Sequence, residues 1–201
     1  MSKLSIIIPS CNEKNVELMK VECRLLFPDA QIIVGDDFAR RGKGYIIKQS
    51  IYQALGETIV FIDGDMDIHP RMILRLLPFL SDFDIVVGSK SICGYPLRRK
   101  LITWLSRLYI KLMFNLDVDT QTGIKAFNRF KVPQWYITGF FFDVELLYLA
   151  KKAGISMVEV PIVAKSTKQK SMGVLWATFV ESVKVWFRLS FLSGTVKTSR
   201  S

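Results

Sequence analysis

Three carboxylates follow a short apolar run in the first half of the sequence. Residues 59–62 read Ile-Val-Phe-Ile, and Asp63, Asp65 and Asp67 come directly after them at alternate positions. An apolar run of this length, bounded by turn residues, is typical of a strand buried on both faces of a parallel sheet. Because ligands of open α/β sheets bind just outside the carboxyl ends of the strands, we expect these acids at a ligand site.

The acids need a positive partner, because neighbouring carboxylates repel one another and lose solvation at a buried strand end. Carboxylate oxygens suit Mg²⁺ or Mn²⁺, and Mg²⁺ typically takes one or two carboxylates together with substrate phosphates. Gly64 lets the backbone approach a ligand closely or take a positive φ. We therefore expect a site for a metal and a nucleotide. The alternative is that the acids only end the strand and cap the next helix.

Polar and charged residues also follow the two earlier predicted strands. Asn12 and Glu13 come after the first strand, and Asp36 and Asp37 come after the second. Acids gathered at neighbouring strand ends can bind the hydroxyls and base edge of a nucleoside whose diphosphate carries the metal. Lys43 lies in a Gly-Lys-Gly turn that lacks the other residues of a Walker A sequence, so we expect it to face a phosphate or to balance the carboxylates.

Strands and helices alternate along the first half of the chain. Apolar runs and helical spacing predict strands at 4–8, 31–35, 59–62 and 84–88, with helices at 14–26, 42–55 and 70–80 between them. Asn12 is expected to cap the first helix. The apolar face of that helix is expected to carry Leu18, Val21, Leu25 and Leu26. This order predicts an α/β fold with a mostly parallel sheet flanked by helices.

A long amphipathic helix is predicted over residues 97–116. Lys100, Arg107 and Lys111 fall at helical spacing, and bulky apolar residues that include Trp104 fill the rest. A broad apolar face with basic and aromatic residues at its rim is typical of a helix that lies in a membrane interface. The alternative is a core helix with a solvated basic edge.

Residues 172–192 repeat this pattern. Glu181, Lys184 and Arg188 share one face, and apolar residues cover the remainder. Three charges on one stripe favour a helix that lies on a membrane over one that crosses it, and we expect no transmembrane helix. Packing against a partner subunit is the other interpretation.

The composition limits the remaining classes. The 201 residues suit one domain, and 28 Lys and Arg against 18 Asp and Glu give a net charge of +10, which favours anionic partners. With 3 Cys and 1 His, a structural zinc site is not expected, and a reducing, cytoplasmic setting is. The basic residues are interleaved with bulky aliphatic ones and form no recognition motif, so no nucleic acid is expected as a partner.

Eight segments in order give the chain a clear resemblance. It resembles family 2 glycosyltransferases of the GT-A fold, in particular dolichol-phosphate mannose or glucose synthases and their polyprenyl-phosphate relatives. The matching segments are SIIIPSCNE at 5–13, IIVGDD at 32–37, RGKG at 41–44, GETIVFIDGDMD at 56–67, DIVVGSK at 84–90, DTQTGIKAFNR at 119–129, GFFFDVELLYLAKKAG at 139–154 and VEVPI at 158–162. The resemblance implies a Rossmann-like, mostly parallel mixed sheet.

The resemblance also implies roles for residues on the donor side. Pro9 and Glu13, with Asn12 between them in the same segment, match positions that contact the nucleoside, and Asp37 with Asp36 matches those that contact the base. A shortened loop, with Phe38 and Ala39 in place of the usual Gly-Ser, leaves base specificity open.

The metal and acceptor sides are implied in the same way. Asp63 and Asp65 match the DxD motif, with Asp65 as the main metal ligand and Asp67 as a third acid. The residues matched to the sugar, the diphosphate and the acceptor are Lys90, Gln121, Thr122, Gly123, Lys125, Lys165, Lys168 and Lys170. Basic residues at the start of the long helix, namely Arg98, Arg99 and Lys100, are expected to hold a lipid phosphate.

The expected activity is metal-dependent, inverting transfer of a hexose from GDP-mannose or UDP-glucose to a polyprenyl or dolichyl monophosphate. Asp65, Lys125 and Asp143 are the expected catalytic residues. A phosphate acceptor needs no obligatory base, whereas a sugar or protein hydroxyl would need Asp143, with Glu145 as the other candidate. A non-catalytic nucleotide-sugar-binding subunit is the third hypothesis.

We expect residues 1–165 to form the transferase domain and residues 166–201 to form a basic loop and an amphipathic membrane-associating segment, not an independent domain. The expected location is the cytoplasmic face of a membrane, as a peripheral protein. The sequence leaves open whether a second copy of the chain or a multispanning membrane protein associates with it.

Overall fold

A computed structural model describes residues 4–10, 14–36, 41–90, 97–136, 139, 141–165 and 182–189. Within 97–114, the side chains of Arg98 and Arg99 lie outside this description. The chain divides into two compact units, Met1–Ser166 and Thr167–Ser201, and each is described by itself below.

The first unit is built on a six-stranded mixed sheet. Its strands are β1 (Leu4–Ser10), β2 (Gln31–Asp36), β3 (Thr58–Ile62), β4 (Ile85–Lys90), β5 (Ile124–Asn128) and β6 (Met157–Ile162). They lie in the order β2-β1-β3-β5-β4-β6. Only β5 among these strands runs antiparallel to its neighbours, β3 and β4, and the other described pairs are parallel. The prediction of an α/β fold with a mostly parallel sheet is confirmed.

Helices connect the strands. They are α1 (Val16–Leu26), α2 (Lys43–Gln53), α3 (Ile73–Leu76), α4 (Leu97–Phe114) and α5 (Phe142–Lys152), with 3₁₀ turns at Pro70–Met72, Leu77–Ser81 and Arg129–Lys131. The continuous helix predicted over 70–80 is wrong in detail, because only α3 is α-helical there. Pro78 lies in the first turn of the second 3₁₀ segment and has no N–H to continue an α-helix.

The buried face of α1 differs from the prediction. Val16, Met19 and Cys23 face the core, whereas Leu18, Val21 and Leu25 are exposed. The helix begins at Val16, so Asn15 is the N-cap residue and the prediction of Asn12 as the cap is wrong. Both apolar stripes have the same helical spacing, so the sequence pattern did not distinguish the core stripe from the exposed one.

Helix α4 turns its more apolar face away from the body of its own unit. Leu101, Leu105, Leu108 and Leu112 form a stripe at helical spacing, and all four are exposed. The opposite face carries Thr103, Ser106 and Ile110, which are partly or fully buried. This arrangement inverts the usual pattern of a surface helix. No helix within the described ranges is long and apolar enough to cross a membrane.

The second unit contributes one described helix, at 182–189. Ser182, Val185 and Leu189 are buried, while Lys184, Phe187 and Arg188 are exposed. The predicted helix at 172–192 is therefore helical in this part, and its remaining residues, Glu181 included, lie outside the described residues.

Candidate active site

The direction of β5 explains how the site is assembled. Because β5 is antiparallel, its first residues lie at the same edge of the sheet as the carboxyl end of β3. Asp63, directly after β3, donates its backbone N–H to the carbonyl oxygen of Gly123 at 2.9 Å. Two segments that are about sixty residues apart in the chain therefore meet at the acidic strand end that the sequence predicted.

The contact between Asp63 and Gly123 leaves no room for a side chain. A Cβ atom at residue 123 would lie 2.1 Å from Asp63 Oδ2 and 2.5 Å from its Cγ. Glycine is needed here for close approach, and it allows the Asp63 carboxylate to lie directly against the turn that precedes β5.

Lys43 is the positive partner of the acidic strand end. Its ammonium group, from the first turn of α2, lies 2.5 Å from Asp63 Oδ1. It also lies 5.7 Å from the ring centre of Phe61 and 5.9 Å from that of Phe142. Burial opposes the charge, but the nearby carboxylates, that of Asp63 foremost, outweigh it and raise the pKa of Lys43. Of the two roles expected for Lys43, balancing the carboxylates is the one that the contacts display.

A second lysine, Lys125, forms a buried ion pair with Asp143. Lys125 Nζ lies 2.9 Å from Asp143 Oδ1, at the start of α5, and donates to the carbonyl oxygens of Thr120 at 3.1 Å and Thr122 at 2.8 Å. Desolvation lowers the pKa of Lys125 and raises the pKa of Asp143. The two carbonyls and the carboxylate together compensate the buried ammonium group.

Aromatic side chains surround these charges, together with the buried hydroxyl of Thr122. Phe61 lies beneath Lys125, with the ammonium group 5.1 Å from its ring centre, and it packs against Phe127 and Phe142. Thr122 is almost fully buried, and its Oγ1 has no hydrogen-bond partner among the described residues. A buried hydroxyl without a partner is costly, so the site retains the capacity to bind a polar ligand.

The loop of the acidic motif is held in one conformation by backbone contacts. Asp65 Oδ1 accepts the N–H of Asp67 at 3.0 Å, and Asn15 donates to the carbonyl oxygen of Asp65 at 2.9 Å. The N–H of Lys165 donates to the carbonyl oxygen of Asp67 at 2.7 Å. Met66 takes a left-handed conformation with φ of 62°, which costs of the order of 1 kcal/mol for a residue with a Cβ.

The donor atoms in this loop suit a divalent cation that also binds a ligand phosphate. Among the described residues, no group of three or more His, Cys, Asp or Glu side chains is arranged to hold a metal ion. The Asp63 carboxylate is already paired with Lys43. Mg²⁺ often takes only one or two carboxylates, with phosphate oxygens and water completing its shell, and Asp65 fits that requirement. The roles of Asp63, Asp65 and Asp67 as metal ligands stay predictions.

The other predicted site residues fall into two groups. Pro9 and Asp36 lie at the carboxyl ends of β1 and β2, Lys90 ends β4, and Gln121 lies in the turn before β5, all at the same edge of the sheet. The residues outside the description, or with side chains outside it, are Asn12, Glu13, Asp37, Arg98, Arg99, Lys168 and Lys170. Their roles remain predictions.

Trp135 was missed by the sequence analysis, and Glu145 was expected only as a candidate base. Trp135 is buried, donates its Nε1–H to the carbonyl oxygen of Gly44 at 3.3 Å and packs on Phe142, so it supports the helix that carries Lys43. Glu145 is buried and accepts the N–H of Tyr136 at 2.9 Å. This contact gives Glu145 a structural role.

The Arg107 side chain forms ion pairs with two acids, although the sequence analysis placed it at a solvent-exposed edge of α4. It lies 3.1 Å from Asp119 and 3.2 Å from Glu159, and Lys111 pairs with Asp117 at 2.7 Å. The expected basic rim of α4 is therefore partly compensated within its own unit. No sequence signal linked these residues, because the partners of Arg107 are 12 and 52 residues away along the chain.

Comparisons with known proteins are consistent across sequence and fold. No family model matches the chain. It is 24% identical over 196 residues to an undecaprenyl-phosphate mannosyltransferase of Micrococcus luteus, with 78% of this chain and 81% of that protein covered. It is 27% identical over 139 residues to a dolichyl-phosphate beta-glucosyltransferase of Dictyostelium discoideum, with 61% of this chain and 42% of that protein covered.

The fold is similar to that of a solved glycosyltransferase. Glucosyl-3-phosphoglycerate synthase from Mycobacterium tuberculosis, in complex with Mn²⁺, UDP-glucose and phosphoglyceric acid, gives a TM-score of 0.71 at 18% identity, with 88% of this chain and 75% of that chain covered. The glycosyltransferase expectation is thereby confirmed: the chain is related in sequence to polyprenyl-phosphate and dolichyl-phosphate sugar transferases, and it has the GT-A fold.

Proposed function

We propose that the protein transfers a hexose from a nucleotide-sugar to a polyprenyl monophosphate at a membrane surface, with inversion at the anomeric carbon. The observation that carries this proposal is the buried pair of Lys125 and Asp143. A carboxylate held against a lysine is suited to positioning charge. This role is sufficient for a phosphate acceptor, because the phosphate is already ionised near neutral pH and needs no general base. The names of the sequence relatives support the same acceptor class.

The donor is proposed to bind along the carboxyl edge of the sheet. The nucleoside would lie over the ends of β1 and β2, near Pro9 and Asp36, and the diphosphate near Asp65 and Lys43. A divalent metal held by Asp65 would supply positive charge to the leaving diphosphate. Lys165, whose backbone is joined to Asp67, would add further charge at this edge.

The sugar is proposed to lie beside the point where the acidic loop meets the turn before β5. Thr122 offers a buried hydroxyl there, and Asp63 offers a partly exposed carboxylate. Lys125 would keep the carbonyls of Thr120 and Thr122 turned inward, and its own ammonium group would offset the charge that gathers as the two phosphates approach.

Helix α4 is proposed to rest on the lipid surface that carries the acceptor. Its exposed stripe of Leu101, Leu105, Leu108 and Leu112 provides the apolar contact, and the half-exposed Trp104 suits the boundary between acyl chains and head groups. Lys100 adds attraction to anionic lipids, worth about 1 kcal/mol per basic residue. The helix at 182–189, with Phe187 exposed, is proposed to contribute a second contact.

One observation supports a second candidate, a hydroxyl acceptor activated by Asp143. Burial raises the pKa of Asp143, and a carboxylate with a raised pKa is a better base near neutral pH. Under this candidate, Asp143→Asn would abolish transfer while donor binding persisted, and lipid would not be required. A non-catalytic donor-binding subunit would show binding without turnover.

The test is transfer of radiolabelled sugar from GDP-mannose and from UDP-glucose, separately, to polyprenyl phosphate in detergent. Each donor is run with Mn²⁺, with EDTA and with the Asp65→Asn variant. Label that enters the organic phase from one donor, and is lost in both controls, supports the proposal and names the sugar. Hydrolysis of the donor without a lipid product would contradict the phosphate acceptor and favour the hydroxyl candidate.

A further inference from the structure

Arg107 joins helix α4 to three other parts of the first unit. Its Nη2 lies 2.9 Å from Ser89 Oγ at the end of β4, 3.1 Å from Asp119 Oδ2 and 3.2 Å from Glu159 Oε1 on β6. The Arg107 side chain is 44% exposed, whereas those of Asp119 and Glu159 are only 15% and 26% exposed. The guanidinium group therefore reaches inward from the helix surface to a partly buried acidic pair.

The acidic partner of Arg107 organises the turn that precedes β5. Asp119 donates its N–H to Glu159 Oε2 at 2.7 Å, and its other carboxylate oxygen, Oδ1, accepts the N–H of Gln121 at 3.1 Å. Two acids held this close repel one another unless a cation lies between them, and Arg107 supplies that cation. Loss of Arg107 should therefore loosen the turn at residues 119–121.

The same turn forms one wall of the proposed sugar site. The carbonyls of Thr120 and Thr122 accept from Lys125, and the carbonyl of Gly123 accepts from the backbone of Asp63. A displacement at Asp119 would be passed on to Lys125 and Asp63 within four residues. A shift of about 1 Å in positioning groups can lower the rate of an enzyme by about 10²-fold.

We infer that Arg107 is a positioning residue that fixes the 119–123 turn from helix α4 and so aligns Lys125 and Asp63 for sugar transfer. The consequence for transfer rests on the proposed function, whereas the effect on the turn does not. Arg107 also borders a cleft of about 390 Å³ with Trp104 and Leu108, which lie on the helix surface proposed to contact lipid. Arg107 thereby connects the helix that is proposed to contact lipid with the turn beside the site.

The test compares Arg107→Gln, Arg107→Lys and a matched control, Arg75→Gln. Arg75 is an exposed arginine that also reaches β6, through the carbonyl oxygen of Pro161 at 3.2 Å. Among the described residues it forms no ion pair or side-chain hydrogen bond with α4 or with the 119–123 turn. Hydrogen exchange of peptides spanning 117–124 and kinetics with detergent-solubilised polyprenyl phosphate are measured on each full-length variant.

We expect Arg107→Gln to speed exchange in the 117–124 peptides and to lower kcat by about 10- to 100-fold, with little change in KM for the nucleotide-sugar. Arg107→Lys should restore part of both effects, and Arg75→Gln should leave kcat within about two-fold of the unsubstituted protein. A kcat effect without loosening of the turn, or loosening without a kcat effect, would overturn the inference.

Two further outcomes keep this inference separate from the proposed function. If the unsubstituted protein transfers no sugar to polyprenyl phosphate, the proposed function fails, while the exchange data still decide whether Arg107 holds the turn. If Arg107→Gln does not fold, Asp119→Asn removes the same ion pair from the other side. In that case unchanged exchange at Gln121 would contradict the positioning role.

Discussion

The two edges of the sheet hold their charged side chains in different ways. At the edge formed by the amino ends of β4 and β6, the Asp84 carboxylate accepts from Ser156 N–H at 3.2 Å, from Ser156 Oγ at 2.8 Å and from Lys131 at 2.6 Å. At the opposite edge, Lys125 and Asp143 form a buried pair, and the Thr122 hydroxyl next to them has no partner among the described residues.

This difference indicates that the Asp84 cluster stabilises the fold, whereas Lys125, Asp143 and Thr122 form a site that can bind a ligand. The Asp84 cluster compensates its charge with short hydrogen bonds between segments of the chain, which is an arrangement that adds stability. The opposite edge concentrates two lysines and several carboxylates where solvation is poor, and this costs stability unless every charge is paired. Such concentrations of perturbed ionisable groups are typical of functional sites.

The largest expected effect follows removal of the buried cation. Lys125→Met keeps most of the length of the side chain but leaves Asp143 without its ion-pair partner and two carbonyls without their donor. Breaking a buried pair on one side typically costs about 3–5 kcal/mol. We expect a loss of that size in the free energy of unfolding, measured by urea denaturation, together with loss of sugar transfer.

A double variant shows whether this cost arises from the unpaired charge. Lys125→Met combined with Asp143→Leu replaces the pair by apolar groups, and such replacements are often close to neutral for stability. We expect the double variant to regain most of the free energy of unfolding but none of the activity. If Lys125→Met alone cost less than about 1 kcal/mol, the contrast between the two edges would lose its basis.

The next effect concerns Gly123, where activity and stability should separate. A Cβ at this position would displace the Asp63 carboxylate, which is partly exposed and can rotate away from Lys43. We expect Gly123→Ala to lower the rate of sugar transfer by about 10²-fold while costing only about 1 kcal/mol of stability. Activity and urea denaturation are measured on the same preparation.

Gly154 provides the matched control. It has φ of +73°, and a Cβ added there would have no neighbouring heavy atom within 4 Å, so Gly154→Ala meets backbone strain but no clash. We expect it to cost about 1–2 kcal/mol and to leave transfer unchanged. Equal losses of activity in the two alanine variants would mean that the Gly123 effect is a general loss of stability and not a displacement of Asp63.

The sequence predicted the first four strands and the acidic edge because both depend on local patterns. Apolar runs located β1 to β4, and the acids after β3 identified the edge at which the charges collect. The buried face of α1 was predicted wrongly because its two apolar stripes share one spacing, and only packing decides between them.

Other parts of the site depend on contacts between distant residues. The backbone bond between Asp63 and Gly123 follows from the antiparallel direction of β5, which the sequence of that strand does not reveal. The hydrogen bond between Asn15 and the carbonyl of Asp65 joins residues that are 50 positions apart. Helical periodicity predicted that Arg107 lies at the edge of the apolar face of α4, but it did not predict the acidic partners of Arg107. Spacing predicts which face of an element a residue occupies, but not which distant charge it meets.

The smallest expected effect concerns Asp84, at the edge formed by the amino ends of β4 and β6. Its contribution to stability depends on pH. The Lys131 and Ser156 contacts lower the pKa of Asp84, so the native state favours the ionised carboxylate. Since the native pKa lies below the unfolded value of about 3.9, the contribution to stability is present above that pH and is lost as the pH falls through the native pKa. Lys131 is more than half exposed, so we expect Asp84→Asn to cost only about 1 kcal/mol at pH 7.

The measurement is the free energy of unfolding of the unsubstituted protein and of Asp84→Asn in urea between pH 7 and pH 2. The two curves should converge as the pH falls below about 4, because protonation of Asp84 then removes what the substitution removes. Lys131→Met should reproduce a smaller part of the same pH dependence, since it deletes the cation but leaves the Ser156 bonds. A difference between the proteins that stayed constant down to pH 2 would show that the Asp84 cluster stabilises the edge through geometry alone. The charge of Asp84 would then contribute no more to stability than the charges of Lys125 and Asp143 are expected to contribute as a pair.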